Sequence, residues 1–191
     1  IASGYKYMLI VTSDEAKARK MCDDASFFNK EAIYYPAKDA IFYSADVHGN
    51  QITGERLRCI SRIINHSSTG EGVLTVVTTM DGIADRLIPV ERFKEAVITL
   101  DYSSEIEPEK LAKKLVAMGF VRTGMVEDKG QFAIRGGIID IFSYTDEAPV
   151  RIELWDTEVD SIRMFDVESQ RSIERLQSYS IFPATEYIFT E

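Results

Sequence analysis

One stretch in the second half of the chain carries residue types that commonly contact other proteins. In VRIELWDTEVD, residues 150–160, polar and apolar residues alternate, which is typical of a half-buried β-strand. The alternation places Arg151, Glu153 and Trp155 on one face of that strand. Arginine forms charge-assisted hydrogen bonds with carboxylates, and Trp and Arg are enriched among the residues that dominate binding energies. The stretch therefore suggests a recognition surface, although Trp155 could equally cover a second hydrophobic cluster or pack on another part of the chain.

A second stretch places an arginine beside two glycines in the middle of a strand-forming segment. This is FAIRGGIIDIF, residues 132–142, in which Arg135 precedes the glycines. Glycine within a strand usually marks a bulge or a sharp bend. We expect the double glycine to break the strand and to aim Arg135 towards the face that carries Arg151, Glu153 and Trp155.

Residue patterns that would support catalysis or metal binding are weak in this sequence. It contains no GxxxxGK[ST] phosphate-binding loop, no GxSxG and no CxxC. His48 and His66 lack metal-ligand spacing and are predicted to be ordinary surface residues. Asp156 and Asp160 are predicted to flank a turn rather than to transfer protons. We therefore expect no catalytic residue, no metal and no cofactor in this chain.

The charge of the chain limits which partners are expected, and its cysteine content indicates the cellular compartment. The net charge of −9 is uneven, because residues 96–191 carry 10 Lys+Arg against 18 Asp+Glu, a net of −8. An acidic module of this kind repels the phosphate backbone of DNA, which argues against a function as a DNA-binding domain. Cys22 and Cys59 are predicted to be buried or inert thiols of a cytoplasmic protein. No apolar run is long enough for a membrane span.

The first part of the chain alternates strands with helices, which predicts an α/β fold with parallel strands. The run GVLTVVTT is continuously apolar, as expected for a parallel strand covered on both sides. Thr12 and Glu15 match a capping box at a helix start. The predicted strands are 5–12, 31–36 and 72–79, and the predicted helices are 13–28, 51–66 and a short one around 80–87.

The pattern changes near residue 96 to one helix among strands, which predicts an α+β module with an antiparallel meander. The main helix, 107–120, has acidic residues and Pro108 at its start and Gly119 at its end. The predicted strands are 95–102, 120–126, 131–135, 138–142, 150–155, 158–165 and 172–184.

Longer motifs give the sequence a resemblance to a known family. The segments RGGIIDIF, PVRIELWDTEVDSIRMFDVESQRS and IFPATE resemble the amino-terminal, UvrB-like region of the bacterial transcription-repair coupling factors. The resemblance implies three parts: a truncated helicase-like α/β subdomain without a P-loop (1–95), a UvrA-binding α+β subdomain (96–185) and the start of a connection (186–191). The chain would thus be a piece of a longer protein.

The same resemblance implies a function and a set of contact residues. Arg135, Arg151 and Glu153 fall on positions that contact UvrA in this family, and Trp155 stands where the family usually has Phe. The two arginines would bind partner carboxylates, and Glu153 would orient an arginine or accept from a partner cation. The module would recruit UvrA to RNA polymerase stalled at DNA damage without catalysis of its own.

Further partners follow from the resemblance only for the longer protein. A carboxy-terminal domain would cover the UvrA-binding face, and the contacts with RNA polymerase and DNA, like the ATP-driven motor, would lie in other regions. The alternative is a fragment of UvrB, a DNA-damage-binding helicase. The segment that would hold UvrB's tyrosine-rich hairpin is YYPAKDAIFYSADVHGNQITGERL, which lacks it.

Overall fold

The computed structural model of the 191-residue chain consists of two compact units, Ile1–Leu87 and Ile88–Glu191. It describes residues 4–28, 31–38, 47–69, 72–85 and 87–187. The boundary predicted between residues 95 and 96 falls inside the second unit, because the short helix before it belongs to that unit. No helix in these ranges is both long and apolar enough to cross a membrane.

The first unit is a three-stranded parallel sheet flanked by helices, as the alternation of elements predicted. Its elements are β1 (Tyr7–Thr12), α1 (Glu15–Phe28), β2 (Ala32–Tyr35), α2 (Val47–Thr69), β3 (Leu74–Thr79) and α3 (Met80–Ala84). The strand order is β1-β3-β2, and both pairings are parallel. The apolar run GVLTVVTT supplies the central strand, whose side chains are almost all buried.

The local predictions for this unit have mixed outcomes. The start of α1 is capped by Asp14, whose Oδ1 accepts from the backbone N–H of Lys17 at 2.9 Å, so the predicted capping box of Thr12 and Glu15 is wrong. His66 is not a surface residue, because it is buried with Nε2 3.1 Å from the carbonyl oxygen of Lys6. The prediction that the thiols of Cys22 and Cys59 are buried is confirmed. The side chain of His48 lies outside the described residues.

The second unit combines helices with antiparallel strands. Its elements are α4 (Val90–Glu95), β4 (Ile98–Asp101), α5 (Pro108–Ala117), β5 (Val121–Arg122), β6 (Gln131–Arg135), β7 (Ile138–Phe142), β8 (Val150–Trp155), β9 (Glu158–Phe165), β10 (Ser172–Arg175) and β11 (Ser178–Ile181). Six strands form one sheet in the order β10-β9-β8-β7-β6-β5, and β11 pairs with β4.

Two predicted strands of this unit differ from the structure. The strand predicted at 120–126 is only two residues long and pairs parallel with β6, because the loop before β6 returns the chain to the start of that strand. That loop is held by Gln131, whose Oε1 accepts from the backbone N–H groups of Glu127 and Asp128. The strand predicted at 172–184 is divided into β10 and β11, which join different sheets.

The two faces of the six-stranded sheet differ in polarity, and this difference positions the candidate site. One face is apolar and carries the buried side chains of Phe132, Ile139, Ile141, Ile152 and Ile162. The opposite face carries a cross-strand row from β6 to β9, namely Ala133, Asp140, Arg151 and Arg163. Because directly opposed residues point to the same side, the charged members of this row must meet.

Candidate partner-binding face

The turn between β6 and β7 consists of the two glycines that the sequence singled out. Gly136 has a φ of +60°, in the left-handed region that favours glycine. A Cβ on Gly137 would lie 2.8 Å from the carbonyl oxygen of Leu154 on β8, so a side chain has no room there. The backbone N–H of Leu154 donates to the carbonyl of Gly137 at 2.8 Å. The predicted break after Arg135 is therefore present as a tight hairpin turn packed on the neighbouring strand.

Asp140 is the centre of the polar face. Its carboxylate is 1% exposed and accepts hydrogen bonds from arginines on both neighbouring strands. On one side Nη2 of Arg135 lies 2.7 Å from Oδ2. On the other side Arg151 donates through Nε to Oδ1 at 2.6 Å and through Nη2 to Oδ2 at 2.9 Å. The structure thus brings Arg135 and Arg151 together, as predicted, through a carboxylate that the prediction did not include.

Arg151 is held on all sides by its own chain. Its side chain is only 12% exposed, and Nη2 also donates to Oε1 of Gln170 at 2.8 Å. The guanidinium lies 4.3 Å above the ring of buried Phe165, a cation–π geometry. The hydrogen bond to Asp140 raises the pKa of Arg151 above its usual value. The carboxylate that Arg151 meets here is intramolecular, and its predicted contact with a partner stays a prediction.

Arg135 is engaged much less than Arg151. Its side chain is 43% exposed at the end of β6. The bond to Asp140 uses one of the five N–H groups of the guanidinium. No second acceptor for it is present in the part of the chain that the structure describes. Arg135 uses one N–H group and Arg151 uses three, so Arg135 is both the more exposed arginine and the one with more donors left for another molecule.

Glu153 pairs with Arg163, an arginine outside the predicted set, and its predicted role in partner binding stays a prediction. Oε1 of Glu153 accepts from Arg163 on β9, and Oε2 accepts from the hydroxyl of Ser161 at 2.7 Å. Glu153 and Arg163 are partly exposed, whereas Ser161 is buried. The pair extends the charged face along β8 towards Trp155.

Trp155 ends β8 at the hairpin to β9 and is 80% exposed. This exposure rules out the alternative in which the indole covers a second hydrophobic cluster. The hairpin turns through Asp156, whose φ is +57°. A register shift opposite Glu153 and Leu154 adds a bulge to β9 just after the turn. Trp155 and the glycine turn after Arg135 therefore lie at the same end of the sheet.

Sequence reasoning missed four residues of this face: Asp140, Arg163, Phe165 and Gln170. A signal was present for the first, because a single Asp between apolar residues in IIDIF must be paired if that strand is buried. Its position in the motif RGGIIDIF pointed the same way. Gln170 had no comparable signal, since it lies in a turn with a φ of +58°. Within the described ranges no group of three His, Cys, Asp or Glu side chains could hold a metal ion.

A sheet with a pre-arranged charged row, a half-exposed arginine and a largely exposed tryptophan has the residue types of a protein-interaction surface. Residues 98–187 match the family model of the UvrB interaction domain. The chain is 40% identical to the transcription-repair-coupling factor of Bacillus subtilis over 185 residues, 96% of this chain and 15% of that protein. It is 36% identical to the factor of Staphylococcus aureus over 192 residues, all of this chain and 16% of that protein.

Over its whole length the chain is therefore similar to one region of the transcription-repair-coupling factors, and residues 98–187 within it match the UvrB interaction domain. It spans about a sixth of the length of these relatives. The resemblance inferred from RGGIIDIF and the following motifs is confirmed.

Proposed function

We propose that the second unit binds UvrA and, within a longer coupling factor, recruits it to RNA polymerase stalled at DNA damage. The observation that carries this proposal is that an exposed tryptophan, Trp155, and a half-exposed arginine, Arg135, lie at the same end of the sheet. An 80% exposed tryptophan is unusual for a residue that normally buries much of its surface. Beside it, a guanidinium with unused N–H groups suits a partner carboxylate.

The distribution of charge in the second unit also supports binding of UvrA at this face. Residues 96–191 carry a net charge of −8, so an acidic partner segment is repelled over most of this part of the chain. Arg135, Arg151 and Arg163 together outweigh Asp140 and Glu153 and leave one net positive charge on this face. An acidic group of UvrA would therefore find its favourable contact at this point, which sets the register of the complex.

The relatives support the larger context. Their name describes coupling of transcription to repair, and the match covers the whole chain rather than one motif. Because the similarity extends over the whole of this chain, it favours a coupling factor over the alternative of a UvrB fragment. Contacts with RNA polymerase and DNA, an ATP-driven motor and a carboxy-terminal domain that covers the face belong to this proposal only as properties of the longer protein.

The test is calorimetric titration of this chain with purified UvrA. Arg135→Ala is compared with Arg122→Ala, because Arg122 is a similarly exposed arginine of the same unit, 46% against 43%, and also pairs with one carboxylate. We expect saturable binding by the native chain, a loss of about 2 kcal/mol for Arg135→Ala and no change for Arg122→Ala. A folded native chain that fails to bind UvrA contradicts the proposal, as does an equal loss in both variants.

A further inference from the structure

Asp140 is a buried charge that the proposed contact does not itself use. The carboxylate lies in the middle of β7, is 1% exposed and accepts three hydrogen bonds from two arginines. Burying a carboxylate is unfavourable unless it is fully paired, and removal of a buried ion pair is often tolerated when both partners are replaced. Stability alone therefore does not explain why this position carries a buried charge.

The hydrogen bonds around Asp140 form a chain that runs from the core to the surface. Phe165 and Gln170 hold Arg151, and Arg151 grips Asp140 through two donors. Oδ2 of the same carboxylate also accepts a hydrogen bond from Nη2 of Arg135 at 2.7 Å. Phe165 and Asp140 are each 1% exposed, whereas Arg135, the last member, is 43% exposed and ends the chain at the surface.

The consequence for Arg135 is a restricted guanidinium. A long arginine side chain at a strand end loses considerable rotamer freedom when a partner immobilises it. The bond to Asp140 has already taken much of that freedom in the unbound protein, while four N–H groups of the guanidinium are left for another acceptor. Preorganisation of this kind increases affinity without adding a contact.

We propose that Asp140 is a positioning residue for partner binding: it orients Arg135 towards a carboxylate of UvrA without touching UvrA itself. This inference rests on the proposed function and deepens it. It names the ligand chemistry of the site as a carboxylate on the partner, and it assigns Arg151 to the support of Asp140.

The inference differs from a purely structural role in one measurable respect. If Asp140 acts through Arg135, its substitution weakens binding only while Arg135 is present. If Asp140 only stabilises the fold, its substitution affects binding equally with and without Arg135. A double-mutant cycle separates these cases, because it isolates the coupling between the two residues.

The experiment titrates UvrA with the native chain, Asp140→Asn, Arg135→Ala and the double variant, and records the melting temperature of each. Asn keeps the size of Asp and removes its charge. We expect Asp140→Asn to weaken binding about two- to tenfold, the effect of freeing one arginine side chain. In the Arg135→Ala background we expect no further weakening, although the melting temperature falls in both backgrounds.

The other outcomes overturn the inference. Native affinity in Asp140→Asn, with Arg135→Ala impaired, removes the positioning role and leaves the proposed function standing. Equal weakening in both backgrounds assigns Asp140 to the fold alone. Absence of binding by the native chain removes the proposed function together with the inference, and this failure is visible before any substitution is made.

A second pair of variants covers the case in which Asp140→Asn does not fold. Arg151→Met is compared with Asp140→Asn/Arg151→Met, which removes both members of the buried ion pair and leaves no unpaired charge between them. The inference predicts that the double variant binds about two- to tenfold more weakly than Arg151→Met. Equal affinities of these two variants overturn it.

Discussion

Asp140 and Arg151 face each other on β7 and β8 and are joined by two hydrogen bonds, of 2.6 and 2.9 Å. The same carboxylate also accepts from Arg135 on the other neighbouring strand. One buried acid thus organises two arginines that the family resemblance assigned to a partner. The two arginines differ in exposure, 12% against 43%, and the proposed roles of support for Arg151 and partner contact for Arg135 rest on this difference.

The first prediction concerns folding stability. Arg151→Met should lower the free energy of unfolding by about 2–4 kcal/mol, because it removes the main partner of a buried carboxylate. Arg135→Met should lower it by less than about 1 kcal/mol, since that arginine is half exposed. Urea unfolding followed by circular dichroism measures both. The reverse order of the two variants would contradict the roles assigned to them.

The second prediction concerns Trp155. Trp155→Ala should weaken UvrA binding by at least about 2 kcal/mol, the scale of a binding hot spot. Its folding stability should change by less than about 0.5 kcal/mol, because the indole is exposed. Ile173→Ala is the control, since Ile173 is an exposed apolar residue on β10 of the same sheet. Calorimetry that finds equal effects for the two variants would remove Trp155 from the binding face.

The third prediction concerns the glycine turn. Gly137→Ala should destabilise the second unit by about 1–3 kcal/mol, because its Cβ would lie 2.8 Å from the carbonyl oxygen of Leu154. Gly124→Ala is the matched control, since no atom lies within 4 Å of a Cβ built there. Thermal unfolding of both variants is the measurement. A stable Gly137→Ala variant would show that β7 and β8 can separate at this turn without loss.

The fourth prediction concerns alkaline pH. Tyr179 is buried, and its hydroxyl donates to Oδ2 of Asp146 at 2.5 Å. Burial and the charge of Asp146 raise the pKa of Tyr179 well above its ordinary value. The unfolded tyrosine titrates near pH 10, so this contribution to stability is fully present below about pH 10 and is lost as the pH rises towards the folded pKa.

Tyr179→Phe should therefore lose less stability than the native chain between about pH 9 and pH 11. Urea unfolding at a series of pH values gives the slope of the free energy of unfolding against pH for each of the two proteins. Tyr34, whose pKa burial raises to about 12, is present in both proteins, and its contribution cancels in the comparison. Identical slopes would contradict the assignment to Tyr179.

Sequence reasoning succeeded where the determinants are local. The bounds of β6, β7, β8 and β9 agree with the predicted ones, because alternating side chains and the turns between them are set within a few residues. The same applies to the parallel arrangement around β3, since a continuous apolar run between helical segments suits a strand that is covered on both sides. The motif around Arg135 and Arg151 was also sufficient to reach the family.

Two of the errors come from contacts that the periodicity of a segment does not record. His66 is buried because its ring meets the backbone of Lys6, far away in the chain. The strand after α5 is short and parallel because Gln131 ties the following loop back to β6. Neither contact changes the pattern of apolar and polar residues in its segment, so neither could be predicted from that pattern.

The sequence by itself determined which strands form the polar face and which residues stand on it, since side-chain direction follows from strand alternation. Only the tertiary structure decided what those residues do to one another. Cross-strand register places Asp140 between Arg135 and Arg151, and burial makes that pairing obligatory. Exposure then leaves Arg135 and Trp155, rather than Arg151, available to a partner.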